Sequence, residues 1–595
     1  MPGNPTMLPE RVAILLSLGV IESDALMTLG QMLRGLLALQ ACLFLFFLSS
    51  GSQANDHVML RRRLEKKEFY KRQYANDGDV QGNQNRMSEY AGRAYEASKN
   101  HDTSALLSVI NDVLNTPNLN QPTGETWAKA SLGQVDTQSG DGPSQVSWYN
   151  GFPTNPTPSV DVTQVDGDLS WTNLPPTLNC TVEQMSVAPN SPAFILDDTS
   201  LNVTDEKSPS GKSIVQPFYV SHPNTYNRDQ VKRVIITLPG KPRDAWNYVN
   251  LHFNAREFLI HNRTIAKDEV ILAAPVFLNQ NDKEAGAVKE NYLYFKNSHW
   301  ANGGASHGPE MSHSVTSYRV LDLLAQHFIK TLPNINQIVF AGHSMGAQAV
   351  QRYAVVKNPK WYDPAIKFWI GNPGSWAWIT SERPNTNPSN LDGDSCEDKI
   401  DSWPFGIGDA DAMPKYVKDS GNPDLIRSRF LKRNVGYSLG LLDNGQGNTQ
   451  CAAQYQGYSH LQRGSYFMQM LANLPDGFPK SHSLAYIAGV SHQDYEMIAA
   501  TETTDFTFVQ GRDAPLISSL RPHRSHHHRP RPKPSKGSNP YDWEGPHYRN
   551  AAWGIIAGIA AVLIIGFFCC HYLFKANAND WDRDYWEYDS KRRLL

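Results

Sequence analysis

The pentapeptide Gly342-His343-Ser344-Met345-Gly346 constrains this chain more than any other feature. Alone it is weak evidence, since chance gives roughly 0.2 G-x-S-x-G matches in a chain of this length. Its flanks give it meaning. QIVFA precedes it and AQAVQRYAVV follows, a buried strand and then a helix. At such a turn a serine is held in a strained backbone conformation with its hydroxyl exposed, and the two glycines let strand and helix pack closely. The sequence around it has the same character. From about 210 to 505, short β-branched runs alternate with helical segments, the signature of a mostly parallel sheet covered by helices. The strand runs are 231–239, 268–276, 336–344, 365–373, 434–443 and 483–492, with a helix over 314–330. Several are apolar almost throughout, as central parallel strands are.

A serine hydroxyl is a poor nucleophile until a base takes its proton and a carboxylate orients that base. In this type of fold the chain order is serine, acid, histidine, each after a later strand. His492 directly follows AYIAGVS and Asp443 directly follows VGYSLGLL, so both sit at strand ends in that order. Asp392, Asp394, Asp409 and Asp411 remain alternatives for the acid; Asp494 is too close in sequence to His492 to reach it without an awkward turn. Negative charge developing on a substrate needs two N–H donors. One is expected from the backbone of Met345. The other is expected from the loop Leu238-Pro239-Gly240-Lys241-Pro242, where the prolines have no amide hydrogen and leave Gly240 or Lys241.

The run from Trp300 to Tyr353, with GNPGSWAWI (371–379), GYSLGLLDN (436–444) and AGVSHQDYEM (488–497), resembles α/β-hydrolases of the esterase/lipase type. It is similar in particular to a largely uncharacterised group of secreted and membrane-bound fungal enzymes. The resemblance covers about half the chain. It implies the α/β-hydrolase fold and a triad of Ser344, Asp443 and His492. The expected substrate is a small-molecule or lipid ester, and no cofactor or metal is expected. It names no particular ester. An aromatic insertion at about 374–433, with Trp376, Trp378, Trp403 and Phe405, is expected to form a cap, its rings either lining a pocket or packing on the core.

The two ends of the chain concern the membrane. Gly35 to Leu48 is a 14-residue apolar run after Arg34, followed by the small and polar SSGSQA, the parts of a secretory signal peptide. It begins some thirty residues in, so residues 1–31 are either a long leading region or an over-extended reading frame, and an uncleaved anchor is the alternative. Ala551 to Phe574 contains no full charge over 24 residues, with Trp553 and Tyr572 near its ends, and is expected to cross a bilayer once. The topology is then type I, with the bulk of the chain lumenal or extracellular at the cell surface or in a vacuolar or endosomal compartment.

Cys42, Cys569 and Cys570 fall in the apolar runs. Of the other three, Cys396–Cys451 is the expected disulfide and Cys180 is left over. Asn179, Asn202 and Asn262 each open an N-x-Thr sequon.

These features divide the chain into an extension with a signal peptide (1–54), a helical segment and linker (55–209), a catalytic domain (210–512), a basic stalk (513–550), the membrane span (551–574) and a cytosolic tail (575–595). The stalk contains His526, His527 and His528, read as solvated linker rather than metal ligands. A formal net charge of −3 over 595 residues gives no sign of a nucleic-acid partner. Three functions fit: a serine hydrolase acting on a carboxylic ester, a peptidase or transacylase on the same triad, or an inactive adhesion or receptor ectodomain.

Overall fold

The computed structural model describes residues 80–116, 156–165, 170–180, 186–386, 388, 396–417, 422–445 and 447–521. The chain divides into two compact units, 1–85 and 86–595, and only the start of one helix is described in the first. The apolar runs 35–48 and 551–574, the stalk histidines, the tail, Asp392 and Asp394 lie outside the described residues. Among the described residues no helix is long and apolar enough to cross a membrane.

A ten-stranded sheet organises the rest. Its strands, in chain order, are β1 (Pro156–Pro158), β2 (Thr177–Cys180), β3 (Pro192–Asp197), β4 (Phe218–Ser221), β5 (Arg233–Leu238), β6 (Val270–Pro275), β7 (Gln337–His343), β8 (Ile366–Gly371), β9 (Asn434–Gly440) and β10 (His482–Ile487). In space they run β1-β2-β3-β4-β6-β5-β7-β8-β9-β10. The six from β6 to β10 pair in parallel, and the four before them are antiparallel. All six residues of β5, β6 and β8 and all seven of β7 are buried, because helices cover both faces. Each expected strand run holds one of these parallel strands, and the helix expected over 314–330 forms at Ser317–Thr331, capped by the Thr316 side chain.

The sheet extends well before residue 210, the expected start of the domain. Its first three strands fall within 156–197, a stretch whose early part reads as linker. They stand at the antiparallel flank of the sheet and carry half-exposed residues, as in the alternating pattern of β2, so they lack the continuous apolar run that marks a central parallel strand.

Helices α1 (Val80–Lys99) and α2 (Thr103–Asn115) also belong with this sheet. The Ser98 hydroxyl donates to the Leu484 carbonyl and accepts from the Leu484 amide, both at 2.9 Å. Strand β10 is the sheet's last, so Ser98 pairs backbone groups that an uncovered edge would leave open.

Two buried basic side chains anchor the chain beyond β10. Arg233, the first residue of β5, donates to the carbonyls of Thr507 and Gln510 at 2.8 and 2.6 Å. Lys367 on β8 donates to those of Phe506 and Gln510 at 2.6 and 3.2 Å. These carbonyls lie at the C-terminal end of the helical run 501–509, where positive charge is favoured.

Ser98→Ala removes the partner of both Leu484 groups at a buried position. It is expected to cost about 1–3 kcal/mol, read as a lower urea midpoint. An unchanged midpoint would mean that the α1 contact does not secure the β10 edge.

Candidate active site

Strand β7 ends at His343 and helix α3 (Met345–Val356) begins at Met345, so Ser344 alone makes the turn. Its φ of 58° and ψ of −123° are rare for a residue with a side chain. The flanking glycines make this geometry attainable. A Cβ on Gly342 would overlap the backbone of Gly346, and one on Gly346 would lie 2.5 Å from the Leu238 carbonyl oxygen. The Ser344 amide donates to the Gly371 carbonyl at 3.0 Å. The Met345 amide, first in its helix, has no acceptor within that helix.

The approach at Gly346 sets the loop after β5, including Pro239, directly against the turn. A Cβ on Gly240 would meet the Tyr248 hydroxyl at 2.6 Å, and Lys241 is exposed. The loop is clamped from behind. Arg243, at φ 64°, makes a two-pronged ion pair with buried Asp282, at 2.9 Å on each prong. Trp171 donates its ring N–H to the Pro242 carbonyl at 2.6 Å and its amide to Asp282 at 2.9 Å. The edge segment before residue 210 thus helps to hold the loop that faces the serine.

The structure brings His492 between Ser344 and Asp443. His492 Nε2 lies 2.9 Å from Ser344 Oγ, and its Nδ1 lies 2.8 Å from Asp443 Oδ2. The Asp443 side chain is 1% exposed and that of His492 26%, so the carboxylate is sealed while the imidazole reaches solvent. Of the other acids, Asp409 accepts from the Ser402 hydroxyl and the amides of Asp411 and Ala412. Asp494 accepts from the Tyr495 amide and is close enough to His492 to act on its charge.

Asn372, unsuspected in the sequence, holds the segments of Asp443 and His492 in register. Its side chain accepts from the Gly440 amide at 2.8 Å and donates to the Ser491 carbonyl at 2.7 Å. Gly440 closes the strand before Asp443, and Ser491 immediately precedes His492. His460 was equally hidden. Its Nδ1 lies 3.3 Å from Asp443 Oδ1, and its ring centroid is 4.3 Å from that of His492. His343, buried in the pentapeptide, places its ring 4.7 Å from His492. A lone histidine in a helix start or a strand end carries no local signal of such a role.

The charges follow from these contacts. Burial opposes ionisation of Asp443, but His460 and His492 outweigh it and hold the carboxyl well below its usual range. Burial disfavours a proton on His492, yet Asp443 raises its affinity above an ordinary imidazole's. His460 and His343 are both shifted down, chiefly by burial. Asp443, His460 and His492 bring ligand-type atoms within 4.8 Å of one another, but Nδ1 of each ring is engaged with the carboxylate.

The remaining expected positions are also placed. Cys396 and Cys451 form a disulfide that ties the 374–433 segment to the region after Asp443. Cys180 is unpaired and buried, its thiol pushed up to about 12 by burial. Trp376 and Trp378 are buried against Phe467 rather than open to solvent. Asn202 is exposed, while Asn179 and Asn262 are half-buried.

No protein-family model matches the chain, and no curated protein sequence does. Among solved structures it is similar to poly(aspartic acid) hydrolase-1 from Sphingomonas sp. KT-1, at 14% identity and a TM-score of 0.33, over 48% of this chain and 92% of that one. It is similar to the LpqC poly(3-hydroxybutyrate) depolymerase from Bordetella parapertussis, at 17% identity and a TM-score of 0.34, over 51% and 89%. A siderophore hydrolase, EstB from Aspergillus nidulans, gives 11% identity and a TM-score of 0.28, over 54% and 97%.

Beyond His492, Glu496 lies in the short helix Asp494–Ala499, with its carboxyl pushed up to about 8 by burial. The folded chain then keeps a proton that the unfolded chain loses above about pH 4.5. The favourable contribution is complete below that pH and is lost as pH rises through 8. Glu496→Gln is therefore expected to stabilise the protein at pH 8, on the order of 3 kcal/mol by urea unfolding, and to change little at pH 4. No gain at pH 8 would show that the ionised carboxylate is already accommodated.

Proposed function

We propose that this chain is a serine hydrolase of the α/β-hydrolase type that cleaves a carboxylic ester through an acyl-enzyme. The observation that carries the reading is the unbroken line of contacts from Ser344 Oγ through both nitrogens of His492 to Asp443, at 2.9 and 2.8 Å. Its support is the distribution of charge: a sealed carboxylate, a base of raised affinity and a hydroxyl on a strained turn.

In this reading Ser344 Oγ attacks the ester carbonyl while His492 Nε2 takes its proton, and the imidazolium formed is stabilised by Asp443. The carbonyl oxygen, now negative, is received by the Met345 amide and by an amide of the Gly240–Lys241 loop. The intermediate collapses, the C–O bond to the alcohol breaks, and the alcohol leaves with the proton from His492. Water then repeats the sequence on the acyl-serine and releases the acid, restoring Ser344. No cofactor enters either half. The 374–433 segment, tied down by Cys396–Cys451, is assigned as the cap over this site. The ectodomain is assigned to the lumenal or extracellular side, anchored by 551–574 and glycosylated at Asn179, Asn202 and Asn262.

A fluorophosphonate probe reacts with a serine that a base and an oxyanion site activate. The full-length protein is expected to label, and Ser344→Ala to lose the label completely. Hydrolysis of p-nitrophenyl esters of graded acyl length should fall in parallel, by at least about a thousandfold. A well-folded protein that neither labels nor turns over any ester would replace this reading with that of an inactive adhesion or receptor ectodomain.

A further inference from the structure

His460 opens helix α4 (His460–Ala472), well separated in sequence from the serine, acid and base. Its Nδ1 faces two acceptors, Asp443 Oδ1 at 3.3 Å and the Gly445 carbonyl at 3.2 Å. Nδ1 must therefore carry the hydrogen, and in a neutral ring Nε2 is then bare. Each oxygen of Asp443 consequently faces a different imidazole: Oδ2 meets His492 and Oδ1 meets His460. The two rings also lie against each other, centroids 4.3 Å apart and inclined by 38°.

We propose that His460 is a positioning residue for the reaction at Ser344, which donates to Asp443 Oδ1 and braces the ring of His492 so that carboxylate and base stay aligned. The assignment rests on the hydrolase reading above. A sealed carboxylate served by one ring could pivot about its Cβ–Cγ bond, and its whole charge would fall on His492. A second donor removes both effects. The charged and titratable groups around the two rings are Asp443, Asp494, His343 and Arg463. Asp443 alone among these lies within 3.3 Å of both Nδ1 atoms, and the two rings also face each other directly, 4.3 Å between centroids.

Two substitutions of similar chemistry separate the donor from the volume. His460→Asn places an amide nitrogen near the position of Nδ1, and His460→Gln places one near that of Nε2. With p-nitrophenyl acetate, His460→Asn is expected to keep kcat within about twofold of the parent, with an unchanged pH profile. His460→Gln is expected to lose roughly tenfold in kcat at constant KM. It should also move the acid limb of kcat/KM to higher pH, because Asp443 then acts undivided on His492. The pH dependence of fluorophosphonate labelling should shift in the same way.

Equal behaviour of the two variants, or a slower His460→Gln whose acid limb stays in place, would reduce His460 to packing and overturn the proposal. If His460→Gln does not fold, His460→Ala takes its place beside His460→Asn: a limb displaced in His460→Ala alone supports the proposal, and an unmoved limb in both overturns it. A parent protein that neither labels nor hydrolyses would overturn the hydrolase reading itself, a result distinct from any of these.

Discussion

The contact on which the rest of the site depends is between backbones. Gly346 lies so close to Leu238 and Pro239, and Gly342 to Gly346, that neither position has room for a β-carbon. This contact fixes three things together: the turn at Ser344, the start of helix α3, and the distance from the serine to the loop after β5. A residue held at φ 58° costs about 1–3 kcal/mol of strain. The surrounding structure offsets it. Strand β7 is buried along its whole length between two parallel neighbours, and the Ser344 amide is paired with Gly371. The strain is confined to one residue because everything around it is over-determined.

Buried polar side chains do the remaining alignment, and each one joins segments that the chain keeps apart. Asn372 spans the acid-bearing and base-bearing loops. Ser491 reinforces that link by donating to the Leu442 carbonyl at 2.6 Å. Arg243, Asp282 and Trp171 hold the loop of Gly240 and Lys241 through contacts spanning 39, 71 and 111 residues. Removing one partner of the Arg243–Asp282 pair would strand a buried charge, which costs far more than the pair contributes. Such contacts give the site its precision rather than the fold its bulk stability.

The difference between local and long-range information explains what the sequence revealed. Central parallel strands announce themselves as apolar runs because both of their faces are buried, so all six were visible. Ser344, Asp443 and His492 could be singled out because each follows such a run, and the structure brings their side chains together. Strands β1 to β3 were not visible, since strands with half-exposed residues lack the continuous apolar run that marks the central ones. His460 and Asn372 were hidden for another reason. Their roles exist only once β8, β9 and β10 stand side by side, and nothing in the adjacent residues encodes that neighbourhood. Asn372 was in plain view within GNPGSWAWI, yet a polar residue after a strand reads equally well as a turn.

Parallel pairing also separates the two ends of the sheet. Strands β5, β7, β9 and β10 all point the same way, so the segments that leave them, with Gly240, Ser344, Asp443 and His492, gather at one edge. Strand β5 lies beside β7 because β6 sits on its outer flank, and this places the loop after β5 against the serine turn. The opposite edge bears Arg233 and Lys367, near the starts of β5 and β8. There they secure the helical run 501–509 that continues the chain from His492. His492 is thus restrained from both directions, by Asn372 through Ser491 before it and by the helical run that Arg233 and Lys367 pin after it. On the reading proposed for this site, His492 needs such bracing, because the 2.9 Å span to Ser344 Oγ tolerates little drift before the hydrogen bond is lost.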